Sequence, residues 1–79
     1  MNEPQHDTQL LTGIRLGLRK ARELGYAVER MDITASVSKG ICAVHFAPIP
    51  EHGFVTAGGD LSVSIDPRTE EIIEYKRGQ

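Results

Sequence analysis

From about Asp7 to Leu24 the apolar residues Leu10, Ile14, Leu18, Ala21 and Leu24 recur every three or four positions, and Leu11 widens the stripe. That is the period of one helix face. Asp7 is placed to cap the first free backbone amides. Gly25 stands where a left-handed residue closes a helix, and Arg19, Lys20 and Arg22 suit the negative end of the helix dipole. Gly13 and Gly17 are poor helix formers, each costing about 0.5–1 kcal/mol relative to alanine. Their spacing puts them on one side of the helix, where either a sheet or a second helix can approach closely.

The period then changes to two. Between about Val28 and Ser38, Met31, Ile33, Ala35 and Val37 alternate with Asp32, Thr34, Ser36 and Ser38, which reads as a strand. Lys39-Gly40 turns the chain into a second strand that ends at Pro48. A two-residue loop sets Val37 against Cys42, Ala35 against Val44 and Ile33 against Phe46, so that apolar faces apolar. A three-residue loop would set Ile33 against His45, and since a one-residue slip exchanges the faces, the even register is expected. A four-residue loop has the same parity. Strand three covers about Asp60 to Asp66 and strand four about Glu71 to Arg77, joined through Asp66-Pro67-Arg68-Thr69. An odd register, with Val63 opposite Ile73 and Leu61 opposite Tyr75, is expected over an even one that places Ile65 opposite Ile72.

These elements predict an α+β fold in the order α-β-β-β-β: one N-terminal helix packed on a mainly antiparallel sheet of three to four strands. The 79 residues suffice for one small domain, 1–79, with a flexible lead-in over 1–6 and a long loop over 48–59. A core of this size contributes only about 3–5 kcal/mol of net stability. Cys42 is the single cysteine, so no disulfide forms within the chain, and one thiol suits a reducing compartment. The polar start lacks the basic and apolar regions of a signal peptide, and no run reaches the roughly 20 apolar residues of a membrane span. The expectation is a cytoplasmic protein with no membrane partner. A net charge of −2, no tryptophan and four other aromatic residues argue against a nucleic-acid partner.

The element order, together with Ser62-Val63-Ser64-Ile65-Asp66-Pro67-Arg68-Thr69-Glu70-Glu71-Ile72-Ile73, resembles the small bacterial PepSY-type module and its V-x-I-D-x-x-T hairpin. That family usually has glycine after the threonine, where this chain has Glu70. The ending Tyr75-Lys76-Arg77-Gly78-Gln79 also resembles the tails of small bacterial immunity proteins that neutralise toxins. The resemblance implies binding to a protein, often inhibitory, and carries over no catalytic residues.

Candidate chemistry is sparse. His45 and Ser36, Ser62 or Ser64 share a sheet face near Asp32, but no nucleophile elbow or glycine-rich oxyanion loop accompanies them. His6, His45 and His52 lie far apart, Cys42 falls in the core register, and Gly58-Gly59-Asp60 precedes a strand rather than a helix, so no metal site or phosphate loop is expected. No catalytic residue and no cofactor is therefore assigned.

Arg15, Arg19 and Arg22 form a ridge on the helix that is either a solvated face or a grip for an acidic partner. Ile49, Phe54 and Val55, in the long loop, either close over the core or present an apolar tip to a partner, with Phe54 as its anchor. The resulting expectation is a non-enzymatic protein-binding or inhibitory module that uses the loop Pro48–Gly59 and the small-residue sheet face. A structural homodimer is the alternative, and an acidic-partner or nucleic-acid binder acting through the helix arginines is a third reading.

Overall fold

A computed structural model of the chain describes residues 5–49 and 59–78, with side chains from Asp7 onward. Helix α1 (Gln5–Glu23) is followed by a 3-10 turn (Val28–Arg30) and strands β1 (Met31–Ser38), β2 (Ile41–Pro48), β3 (Leu61–Asp66) and β4 (Glu71–Arg77). The strands form one antiparallel meander in the order β1-β2-β3-β4, with α1 across one face. This is the α+β architecture that the change of period predicts. The start differs slightly: α1 begins at Gln5, so Asp7 lies in its first turn rather than at its cap. Val28–Arg30 coil before the strand instead of extending it.

The end of the helix follows from Gly25. Its φ of +91° lets Tyr26 N–H donate to the Ala21 carbonyl at 2.9 Å and Gly25 N–H to the Arg22 carbonyl at 3.0 Å. This paired closure satisfies carbonyls that would otherwise be orphaned.

The core is the helix-facing side of the two central strands, where Cys42, Val44, Phe46, Leu61, Val63 and Ile65 are at most 1% exposed. Leu16, Ala21 and Val28 close over them. The two helix glycines explain the fit. A Cβ on Gly13 would fall on Cys42 Sγ and within 2.8 Å of Cys42 Cβ, and one on Gly17 would lie 3.3 Å from Val44 Cβ. Gly13 and Gly17 therefore serve close approach to β2, not to another helix. They also rotate the stripe expected from the leucines. The face against the sheet is centred on Gly13, Gly17 and Ala21, whereas Ile14 and Leu18 are half-buried at its side and Leu11 is 68% exposed. A search for apolar side chains passes over glycines, which mark the closest contact of all.

The first hairpin has the expected two-residue loop and pairing, Val37 with Cys42, Ala35 with Val44 and Ile33 with Phe46. Lys39 and Gly40 both take positive φ, +54° and +78°, which gives the loop the twist of its strands.

The last hairpin overturns the odd register. Ile65 pairs with Ile72 and Asp66 with Glu71, and an irregularity then shifts the pairing, so that Val63 meets Tyr75 and Leu61 meets Arg77. The loop is Pro67 to Glu70, where the Asp66 carboxylate accepts from Arg68 N–H at 3.0 Å and Glu70 adopts φ +58°. The extra residue at Ile73 lets both Ile72 and Tyr75 sit opposite core residues despite their odd separation.

Candidate functional site

The two flanks of α1 meet different surroundings. Gly13 and Gly17 set the helix over β2. On one side Leu16, Arg19, Lys20 and Glu23 border a small recess shared with Glu70 and Ile72. There Lys20 Nζ stands 5.2 Å from the centre of the Tyr75 ring, and the Arg15 guanidinium donates to Glu70 at 3.3 Å. The opposite flank, with Ile14, Leu18 and Leu11, consequently lies toward β1.

Along the outward side of α1, reaching both flanks, Leu11, Ile14 and Leu18 line an open groove of helix residues alone, with Arg15, Arg19, Arg22 and Glu23 along its border. On the helix side of β1, Ile33 is 37% exposed and Ala35 and Val37 are only half-buried, because α1 is centred one strand further in. Among the described residues nothing pairs with the outer edge of β1. This side of the molecule thus carries an apolar helix flank, a partly covered apolar strand and a backbone edge that is unpaired among the described residues. Such apolar surface makes this flank a candidate contact site.

The arginine ridge divides. Arg15 is engaged with Glu70, both more than half exposed, an arrangement worth about 0–1 kcal/mol. Arg19 and Arg22 are exposed and form no ion pair among the described residues. Ile49 is 43% exposed just after β2, where its N–H donates to the Arg30 carbonyl at 3.2 Å. Phe54 and Val55, with most of the long loop, lie outside the described residues. Thus the structure brings the three arginines beside the groove and does not place the loop residues with them. The helix flank escapes sequence reading because Leu11, Ile14 and Leu18 look like core. The signal that could have revealed it is the glycine pair, which requires the opposite rotation.

The other face of the sheet carries Thr34, His45, Ser62 and Lys76 in one cross-strand row and Ser36, Ala43, Ser64 and Glu74 in the next. His45 Nε2 lies 3.2 Å from Asp60 Oδ2, with both side chains nearly half exposed. This contact orients the imidazole against a carboxylate on an open surface. Among the described residues no group of three His, Cys, Asp or Glu side chains is arranged to hold a metal ion. Burial pushes the Cys42 thiol above its ordinary value, so it remains protonated and unreactive beneath Gly13 at neutral pH. No helix among the described residues is long and apolar enough to cross a membrane.

Comparison with protein-family models, with curated proteins and with solved structures gives no match.

Proposed function

We propose that the chain is a non-catalytic protein-binding module whose contact surface is the outer flank of α1 together with the adjoining edge of β1. The observation that carries this reading is Leu11, 68% exposed in the middle of a helix and lining one open recess with half-buried Ile14 and Leu18, while Ile33 of β1 is also exposed. An apolar centre with a charged border is the anatomy of a protein interface. The resemblance to PepSY-type and immunity proteins fits the same class, in which binding itself is the activity. Arg19 and Arg22 at the border favour a contact with acidic character at that margin.

A photo-crosslinking residue placed at position 11, and separately at position 62 on the polar sheet face, tests this in cells. The expected result is a covalent adduct with a polypeptide from position 11 and none from position 62. Absence of any adduct from position 11 removes the reading.

A further inference from the structure

We infer that the occupant of this surface is a second copy of the chain, joined edge to edge through antiparallel pairing of β1 with its counterpart. The inference rests on the protein-binding reading above and names its partner.

The backbone parity is fixed first. The Arg30 carbonyl accepts from Ile49 N–H across the β1–β2 ladder. Pairs across an antiparallel ladder alternate between bonded and non-bonded. The even-numbered residues of β1 therefore bond to β2, and Met31, Ile33, Ala35 and Val37 turn their N–H and C=O groups to the edge that is unpaired among the described residues. These four are also the helix-side residues. Pairing odd with odd satisfies the outward backbone groups and places both helices on the same face, a self-complementary arrangement with two-fold symmetry. Little on the strand opposes it: β1 carries one charge, Asp32, and no lysine, proline or bulge, the usual guards of a free edge.

The helix flank suggests where the axis lies. Asp7, Leu11, Ile14, Leu18 and Arg22 follow one three-and-four spacing, acidic at one end, apolar in the middle and basic at the other. Antiparallel apposition about its midpoint sets Leu11 toward Leu18 of the second copy and Asp7 toward its Arg22. Gly13 lies over Cys42, the partner of Val37, and Gly17 over Val44, the partner of Ala35. The helix midpoint near Ile14 and Arg15 therefore stands level with Ser36. A two-fold axis at Ser36 pairs Ala35 with Val37 of the other copy and Thr34 with its Ser38. The two helices then stand three strand spacings apart, about 14 Å, against about 10–12 Å for a helix with its side chains. Leucine and arginine side chains bridge that interval.

Sedimentation of the purified full chain over a concentration series tests the pairing. Wild type is expected to move from the 8.7 kDa monomer to twice that mass as concentration rises. Ser36→Lys and Ser36→Glu, at an exposed position, are expected to leave the helical circular dichroism and the melting of the dilute monomer unchanged while weakening self-association at least about ten-fold. An equimolar mixture of the two variants is expected to recover the double mass as a heterodimer, and Leu11→Glu to weaken association without a change in fold. A wild type that stays monomeric up to ~1 mM overturns the inference, as does a dimer indifferent to all these substitutions. Failure of the Lys and Glu variants to associate when mixed overturns the axis at Ser36.

The cell crosslink from position 11 separates the two claims. An adduct with a different polypeptide, an extended peptide lying along β1 included, overturns self-pairing and preserves the binding reading. No adduct at all removes that reading.

Discussion

At one margin of the sheet β4 carries Glu71, Glu74, Lys76 and Arg77 and an extra residue at Ile73; at the other, β1 runs in regular register with Asp32 as its sole charge. Ile73 and Tyr75 are exposed on β4, but Tyr75 lies beneath Lys20 and Arg77 stands 5.7 Å from the Tyr26 ring. Gly78 N–H also donates to the Asp60 carbonyl at 2.7 Å. The β4 side is thus bent, charged and tied to its own molecule, which are the means by which proteins discourage pairing between sheets. The β1 side has the opposite properties and is only partly covered by α1. The difference teaches that the helix position and the edge chemistry belong to one arrangement. A helix pinned over β2 packs on β1, β2 and β3 and reaches β4 only with its long side chains, and on β1 it leaves Ile33 exposed.

The most damaging way to disturb this asymmetry is to lift the helix. Gly13→Ala is expected to cost about 2–3 kcal/mol, because its methyl group must displace Cys42 in a packed core. Gly17→Ala, with its nearest contact at 3.3 Å, is expected to cost under about 1 kcal/mol, since neighbouring atoms can yield and alanine is the better helix former. Urea unfolding of both variants measures the difference. Equal effects would mean that the helix is not pinned at Cys42.

Alkali loosens the same joint more gently. The folded-state thiol of Cys42 is raised by burial, so the unfolded chain loses its proton first. Above the unfolded value the native state binds more protons, and stability falls as pH rises. Below about pH 9 this contribution is fully present; it is lost as pH climbs beyond that value. The expected signature is a decline in urea midpoint across alkaline pH that becomes shallower in Cys42→Ala, whose stability is lower at neutral pH. Parallel pH profiles in the two proteins would remove the thiol from the account.

How much of this was legible depended on the kind of signal. Alternation in β1 and β2 dictated the first hairpin residue by residue, because one slip would have exposed Val44 and Phe46. The second hairpin lacked that protection. Ile72, Ile73 and Tyr75 offer apolar residues in both parities, and only the bulge reconciles Ile72 and Tyr75 with one face. Along the helix, counting leucines identified the element but misplaced its inward side, since Gly13 and Gly17 contribute proximity instead of apolar area. The candidate site was missed for that same reason. It consists of Leu11, which the glycine contact turns away from the core, with half-buried Ile14 and Leu18 beside it.

The two turns extend the comparison to the ends of the strands. Lys39 holds φ +54° in the loop leading from β1, and Glu70 holds φ +58° in the loop leading into β4. Left-handed backbone is costly for most side chains and tolerated by asparagine and glycine. Lys39→Asn is expected to stabilise by about 0.5–1 kcal/mol, since asparagine suits the first position of this turn and the lysine has no ion pair among the described residues. Thermal unfolding reads the change, and a lower melting temperature would refute it.

Glu70→Gly should stabilise less, although its backbone relief is similar. Its carboxylate receives Arg15 at 3.3 Å, the strap between α1 and the β4 side. Glycine gains about 1 kcal/mol of conformational relief, while loss of an exposed ion pair removes about 0–1 kcal/mol. The net expectation is a gain below about 0.5 kcal/mol. A double-mutant cycle with Arg15→Ala separates the two terms: once the arginine is gone, Glu70→Gly should deliver its full backbone gain. If the gain is the same with and without Arg15, the strap contributes nothing to stability. The β4 side is then tied to the helix through Tyr75 and Ile72 alone, and the contrast between the two edges rests on β4's charge and bulge rather than on this ion pair.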